Sequence, residues 1–250
     1  MSNYILEKYI KPLETSGLPI IGVYIQGSSE IGYSDEYSDL DYSVVWKDNY
    51  PNENVREHLL KDLNLPISHI VDQDHKGTDR FMYNETEHNI SHRLSSNFFN
   101  IYNEVQTEKV NEPKLYILGG FKRGRIIHDP SNKLMDYVAN LEVTSEIVKL
   151  FKETRHNSTK NNLAALAIAT KRKQPVEFIK SLNYLLITFS IQLYLENGQF
   201  PVSPKWVEKD AIKYGWKSSL LDIIKKLKTA YDFDHINNLL NNVKEELHLL

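Results

Sequence analysis

Two aspartates stand two positions apart in the stretch SDLDYSVVW, at the start of an apolar run. Side chains alternate along a β-strand, so Asp39 and Asp41 are expected to share one face. Two carboxylates side by side repel each other unless a cation is shared between them. Mg²⁺ is a hard cation that binds one or two carboxylates together with phosphate oxygens and water. The pair therefore predicts a Mg²⁺ site.

A Gly-Ser-Ser turn lies upstream of the aspartates, directly after the apolar run IIGVYIQ. Gly27 allows the backbone to approach a ligand closely, and Ser28 and Ser29 add hydroxyl donors. If a helical turn begins here, its free N–H groups face an anion. Ten residues separate Ser28 from Asp39, which is enough for a turn and a return to an adjacent strand. The combined prediction is a phosphate-binding turn that faces a metal site.

These residues need a sheet to position them, and the first part of the chain has the pattern of one. Short runs with β-rich composition predict strands, at 19–27, 39–46, 66–72 and, with weaker alternation, 80–93. From residue 143 onward the chain has only helical spacing, interrupted by Gly and Pro. The expected fold class is α+β, with a small sheet-containing domain at 1–142 and a helical bundle domain at 143–250.

The composition narrows the classes of function. The chain has 250 residues, of which 41% are hydrophobic and 25% charged, and this suits a globular protein. A net charge of −3 argues against a nucleic-acid partner, since such proteins are normally basic. The absence of cysteine excludes disulfides and zinc–thiolate sites. With no signal-peptide pattern and no run of roughly 18 apolar residues, we expect a cytoplasmic protein without a membrane partner.

Gly27-Ser28 followed by Asp39-Leu40-Asp41, between two apolar strands, resembles the signature of the DNA polymerase β-like nucleotidyltransferase superfamily. A small α/β domain followed by a helical bundle resembles the aminoglycoside and lincosamide branch. The resemblance implies a mixed-sheet nucleotidyltransferase domain that binds ATP or another nucleoside triphosphate with Mg²⁺. It also implies that Gly27 and Ser28 contact the triphosphate, and that Asp39 and Asp41 are catalytic metal ligands.

The family usually has a third acidic residue on a later strand, which holds metal or acts as general base. Residues 85, 87, 89 and 91 would share a face of the fourth predicted strand. Glu87 is the predicted third acidic residue of the catalytic set, and Glu85 is the next choice on that face. Asn89 stands where an acid is expected, so the acid is alternatively lost there. Asp72 and Asp74, after the third strand, are weaker candidates.

Further nucleotide contacts are predicted outside the opening motif. Ser38 directly precedes Asp39, and Lys205 lies in the stretch ENGQFPVSPKWVEK, which resembles a loop in the helical domain of relatives. A helix start with a packed Trp206 is the alternative interpretation of that stretch. The basic run at 122–125 either neutralises phosphates or is a solvated loop.

The expected activity is Mg²⁺-dependent transfer of a nucleotidyl group to a hydroxyl of a small molecule, for example an aminoglycoside or lincosamide antibiotic. One alternative is an adenylyltransferase that modifies a protein partner, as an antitoxin would. The other, motivated by Asn89, is a nucleotide-binding protein with weakened catalysis. Acceptor identity, nucleotide preference and oligomeric state have no local sequence code.

Overall fold

The structure is a computed structural model that describes residues 2–14, 17–73, 76–107 and 110–229. It confirms the α+β prediction, because a mixed six-stranded sheet is followed by a helical region. Residues 230–250, which belong to the stretch of predicted helical spacing, and the candidate acid Asp74 lie outside the described residues.

The sheet has the strand order β3-β4-β5-β2-β1-β6. Every neighbouring pair is antiparallel except β2 and β5, which are parallel. The strands are β1 (Ile20–Gln26), β2 (Leu40–Trp46), β3 (Ile67–Gln73), β4 (Lys76–Tyr83), β5 (Thr86–Leu94) and β6 (Arg125–His128). The first three agree with the predicted strands to within one or two residues at each end.

The N-terminal helix runs through three segments, and its middle is π-helical. Longer helices begin with a capping side chain where the sequence provides one: Asn52 accepts the Val55 N–H, and Thr144 accepts the Ile147 N–H. The helical segments are α1 (Ser2–Ile5), a π-helical turn (Leu6–Ile10), α2 (Lys11–Glu14), α3 (Ser28–Ile31), α4 (Glu53–Asp62), α5 (Ser95–Thr107), α6 (Glu112–Arg123), α7 (Lys133–Ala139), α8 (Ser145–Arg172), α9 (Pro175–Glu196), a 3₁₀ turn (Pro204–Trp206), α10 (Val207–Tyr214) and α11 (Ser219–Thr229).

The chain divides into two compact units. The first comprises Met1–Asn103 and Gly120–Leu141, and it contains the whole sheet. The second comprises Glu104–Gly119 and Glu142–Leu250. The stretch at 104–119, which the sequence analysis assigned to the first domain, thus belongs to the second unit.

The side chains of strand β2 alternate between an apolar face and a polar face of the sheet. Tyr42, Val44 and Trp46 are buried in one hydrophobic cluster with residues of the N-terminal helix. Asp41 and Ser43 alternate with them and therefore lie on the opposite face. The apolar face anchors the strand, which leaves the polar face to carry the candidate site.

The predicted fourth strand at 80–93 is wrong as one element, because the chain turns back within it. Strand β4 ends at Tyr83, and β5 begins at Thr86, paired with Tyr83. Asn84 and Glu85 form the two-residue connection, with φ values of 48° and 63°. Two-residue hairpin loops of type I′ need positive φ at both positions, and asparagine tolerates that conformation. Glu85 therefore lies in a turn and not on a strand face.

Arg56 on α4 is fully buried and fully paired. Its Nε donates to Asp79 Oδ1 at 2.8 Å, and its Nη2 donates to Asp72 Oδ1 at 2.7 Å. Asp79 also accepts from the Tyr9 hydroxyl at 2.6 Å and lies 2.6 Å from His92 Nε2. Burial alone would raise the pKa of Asp79, but His92, Arg56 and Tyr9 outweigh it and lower the pKa. Asp72, one of the weaker candidates for the third acidic residue, therefore forms a structural ion pair with Arg56.

The second unit has its own hydrophobic core, formed mainly by α8, α9 and α11. Tyr194 on α9 donates its hydroxyl to the buried carboxylate of Asp210 on α10. Among the described helices, Pro175–Glu196 is long and apolar enough to cross a membrane, and 61% of its most apolar window is buried inside the protein. A core helix of this kind passes the same test, so the finding is weak evidence for a membrane span.

His88 is a buried ring without a hydrogen-bond partner among the described residues. It stacks on Tyr42 and Phe81, with ring centroids 5.8 and 5.6 Å away, and meets the edge of Tyr83. Burial lowers its pKa from the ordinary 6.5 to about 4. The folded protein therefore holds His88 neutral at a pH where the unfolded chain would protonate it.

This shift predicts that the protein loses stability as the pH falls from about 6.5 to 4. Because the unfolded chain binds the proton first, the His88 contribution between pH 7.5 and 5 should be about 2 kcal/mol. His88→Phe keeps the ring stacking and removes the titrating group. Urea unfolding at both pH values should show a pH dependence smaller by that amount. His58→Gln, which changes an exposed histidine, is the control, and equal pH dependence in His88→Phe and wild type would contradict the assignment.

Candidate active site

Parallel pairing of β2 with β5 brings Asp39, Asp41 and Asn89 together. Asp41 is the register partner of Asn89, so their side chains lie on the same face. The Asn89 Nδ2 group donates to Asp39 Oδ2 at 2.5 Å and lies 3.4 Å from Asp41 Oδ1. One amide thus bridges both carboxylates, and the two aspartates share a face as predicted.

The backbone of Gly27 lies directly against the Asp41 carboxylate of this cluster. Its φ is +89°, in the region that favours glycine, and a Cβ built on it would lie 2.5 Å from Asp41 Oδ2. The Asp41 carboxylate therefore rests against the Gly27 backbone, in space that any other residue would fill. Ser28 begins the short helix α3, so the condition set on the sequence, that a helical turn begins here, is met. The Ser29 hydroxyl is buried without a partner among the described atoms.

The donor set fits a hard divalent cation. Asp39 and Asp41 offer two carboxylates within reach of one amide, and the buried Asn89 Oδ1 has no hydrogen-bond partner among the described residues. Within the described part of the chain, no group of three or more His, Cys, Asp or Glu side chains could hold a metal ion. Two carboxylates plus an amide match Mg²⁺, which takes its remaining ligands from phosphate and water.

The candidate base Glu87 is two residues before Asn89 on β5, where it pairs with Met82 of β4. It shares the face of Asn89 by strand alternation. Asn89, and not Glu87, is the register partner of Asp41. Glu87 as general base therefore stays a prediction, and the position beside the aspartates is occupied by an amide.

The other predicted contacts have local partners. Ser38 donates its hydroxyl to Asp35 Oδ1 at 2.8 Å and accepts the Asp35 N–H at 2.9 Å, so it stabilises the loop before Asp39. Lys205 belongs to the second unit, where its Nζ lies 4.5 Å from the centre of the Trp206 ring. A nucleotide role for Ser38 and Lys205 stays a prediction.

The basic run at 122–125 has structural contacts. Arg125 forms a two-pronged ion pair with Glu30 of α3, at 2.9 and 3.2 Å. Lys122 donates to the Val138 carbonyl at 2.8 Å. Arg125 thereby fixes the short helix next to Gly27, and its charge is neutralised by a carboxylate rather than by phosphate.

Sequence reasoning missed a row of side chains that crosses four strands. Gln26 of β1 pairs with Asp41, Asp41 with Asn89, and Asn89 with Arg80 of β4. Directly opposed residues in a sheet share a face, so the row runs from the Gly27 turn to an exposed arginine. The only sequence signal for this row is the alternating pattern of KGTDRFMY, which is β4. That pattern does not show which strand lies beside β5.

Comparisons with known proteins add little to this geometry. No family model matches the chain, and no curated protein matches it. Among solved structures, it is similar to a nucleotidyltransferase-like protein from Exiguobacterium sibiricum 255-15, with 11% identity, a TM-score of 0.44, and coverage of 99% of this chain and 74% of that chain. A likeness at this level does not identify a function.

Gly27→Ala should displace the Asp41 carboxylate, because the added Cβ overlaps Oδ2. We expect the Mg²⁺ affinity, measured by calorimetry, to fall by about tenfold or more, since one charged ligand leaves its position. Backbone strain at positive φ should also lower the free energy of unfolding by about 1 kcal/mol.

Gly32→Ala is the matched control for this substitution. Gly32 has φ +78° and no atom within 4 Å of an added Cβ, so it carries the strain without the overlap. It should lose similar stability and keep its Mg²⁺ affinity. Equal Mg²⁺ affinities in the two variants would show that Gly27 is not needed to seat Asp41.

Proposed function

We propose that the protein transfers a nucleotidyl group from ATP, or another nucleoside triphosphate, to a hydroxyl of a small molecule, with Mg²⁺ as cofactor. The observation that carries the proposal is that Asp39 and Asp41 lie side by side at Asn89, with the Asp41 carboxylate against the backbone of Gly27. Two carboxylates suit a cation, and the free N–H groups of a turn suit phosphate.

In the proposed step, the acceptor oxygen forms a bond to the α-phosphorus, and the bond from that phosphorus to the pyrophosphate oxygen breaks. Bound Mg²⁺ would stabilise the charge on the phosphoryl oxygens. Asp39 and Asp41 would hold the cation, and the backbone after Gly27 would orient the triphosphate. The acceptor proton needs a base, and among the predicted catalytic residues Glu87 stays the candidate.

Asn89 supports a second candidate, a nucleotide-binding protein with weak or no catalysis. An amide has no basic oxygen or nitrogen at neutral pH, so Asn89 cannot accept the acceptor proton. It can keep two carboxylates together without a cation. Such a site would bind a nucleotide with Mg²⁺ and release it unchanged.

The proposal predicts that ATP binding depends on Mg²⁺ and on both aspartates. Calorimetry should give markedly weaker binding in EDTA than in Mg²⁺, because the paired carboxylates otherwise repel the triphosphate. Asp39→Asn and Asp41→Asn keep side-chain size and remove one charge each. Transfer from α-labelled ATP or GTP to a panel of hydroxyl compounds should then fall by about two orders of magnitude or more.

Asp48→Asn is the control, because Asp48 is an exposed aspartate that follows the far end of β2. It should leave both binding and transfer unchanged. Equal ATP affinity in Mg²⁺ and EDTA would exclude the metal-dependent site. Mg²⁺-dependent binding with no transfer to any acceptor would favour the nucleotide-binding candidate.

Asn89→Asp tests the proposed position of the cation. A third carboxylate should lower the thermal midpoint without metal, because the amide bridge is replaced by repulsion. It should also enlarge the rise in midpoint on adding Mg²⁺, which differential scanning calorimetry measures. Asn89→Leu removes the bridge without adding charge and is the matched variant. We expect only Asn89→Asp to gain this Mg²⁺ response.

Nucleotidyl transfer by Glu87→Gln and by Asn89→Asp identifies the general base. If Glu87 is the base, Glu87→Gln should lower transfer strongly with little change in ATP affinity, because a base acts on the acceptor. Higher transfer by Asn89→Asp, with Glu87→Gln silent, would show that position 89 has lost the acid. A Mg²⁺ response of Asn89→Asp no larger than that of Asn89→Leu would contradict the proposed metal position.

A further inference from the structure

Three cations share the polar face of the sheet with Asp41 and Asn89. Arg80 of β4 is directly opposite Asn89, and Lys76 of β4 is directly opposite Arg93 of β5. Directly opposed residues of antiparallel strands have neighbouring side chains on the same face. The cations therefore continue the polar row beyond Asn89 and along β4 and β5.

The pairing of Lys76 with Arg93 is electrostatically unfavourable. Like charges directly opposite each other destabilise a sheet. Burial, followed by the charges of Arg93 and Arg80, lowers the pKa of Lys76, and Asp41 is close enough to oppose that shift. The Arg93 Nε atom is buried and has no hydrogen-bond partner among the described residues. The like charges repel each other, and the Nε atom of Arg93 has no partner among these residues, although the same guanidinium lies near the Tyr24 hydroxyl.

Among the described residues, no acidic side chain forms an ion pair with these cations. Arg56 and Arg125, in contrast, are each paired with carboxylates. A bound anion would relieve the repulsion between the three cations through charge-assisted hydrogen bonds.

The order of the strands across the sheet indicates which ligand would carry the anionic group. The Gly27 turn follows β1, on one side of Asp41, and the cations lie on the other side, beyond Asn89. If the triphosphate occupies the turn, as the proposed function requires, the cations face the opposite side of the reaction centre. That side is the acceptor side of an in-line transfer.

We propose that Lys76, Arg80 and Arg93 bind an anionic group, a phosphate or carboxylate, carried by the acceptor. The inference rests on the proposed function and narrows its substrate class to anionic hydroxyl compounds. Polycationic aminoglycosides are then poor acceptors, because three cations would repel them.

Binding of inorganic phosphate tests the site without any need for transfer. Protein saturated with Mg²⁺ and a non-hydrolysable ATP analogue is titrated with phosphate and followed by calorimetry. Arg80→Gln and Lys76→Gln should each weaken phosphate binding by about tenfold or more, since each removes a charge-assisted hydrogen bond. Lys8→Gln, at an exposed lysine of the N-terminal helix, is the charge-matched control and should bind phosphate like wild type.

Two outcomes of this titration would overturn the proposal. If saturation with the ATP analogue abolishes phosphate binding, the cations belong to the triphosphate site. If wild type binds no phosphate, or Arg80→Gln binds it as well as Lys8→Gln does, the cations form no anion site. Loss of transfer alone decides neither result, so failure of the proposed function and failure of this inference remain distinguishable.

Thermal unfolding without ligand separates a binding role from a structural one. A lysine that stabilised the fold would lower the midpoint when neutralised. Lys76→Gln should instead keep or raise the midpoint, because it removes repulsion with Arg93. A clear fall in the midpoint would contradict the binding role.

Paired acceptors test the acceptor side directly. Glycerol is compared with glycerol 3-phosphate, glucose with glucose 6-phosphate, and all four with kanamycin, in transfer from labelled ATP. Wild type should prefer the phosphorylated member of each pair by about tenfold or more, and Arg80→Gln should lose that preference. Preference for kanamycin, or for the uncharged members, would overturn the inference. With no transfer to any of the five, calorimetric binding of glycerol 3-phosphate beside the ATP analogue gives the same comparison, and no preference over glycerol would overturn it.

Discussion

The candidate site depends on one strand pairing, the parallel alignment of β2 with β5. Every other pair in the sheet is antiparallel, so this pair joins the β1–β2 half to the hairpin formed by β4 and β5. Its register sets Asp41 beside Asn89. A slip of one residue would move Asn89 to the apolar face and leave the two carboxylates without their bridge. The apolar partners on the other face, Val44 and Ile90 among them, are fully buried and resist such a slip.

The amide bridge reduces the repulsion between the two carboxylates. The amide of Asn89 donates toward both, which offsets part of their repulsion. An amide turned by half a rotation would present its oxygen to the same point, and that oxygen has no other partner among the described atoms. Asn89 can thus act as a hydrogen-bond donor to the aspartates or as a neutral ligand beside them. A third aspartate, as a carboxylate, would be a charged ligand and could not donate a hydrogen bond to the other two.

The sequence predicted the parts of the site that are local. Alternation placed Asp39 and Asp41 on one face, and the Gly-Ser-Ser sequence placed a turn at Gly27. Contacts between distant segments were not predictable in this way. Asn89 is 48 positions from Asp41, and no local pattern encodes the register of a parallel pair. The hairpin at Asn84-Glu85 was missed because the pair lacks the glycine that usually marks such a turn.

Charged side chains have different partners on the two faces of the sheet. On the apolar face, Asp79 is neutralised by Arg56, and Trp46 donates its indole N–H to His92 Nδ1 at 3.1 Å, so that His92 carries its proton on Nε2, toward Asp79. On the polar face, carboxylates are held together by an amide and cations are left facing each other. Among the described residues, Arg56 and Asp79 are paired on the apolar face, whereas Lys76, Arg80 and Arg93 on the polar face form no ion pair with an Asp or Glu. Ligands of opposite charge, a cation at the aspartates and an anion at Lys76 and Arg80, would complete that face.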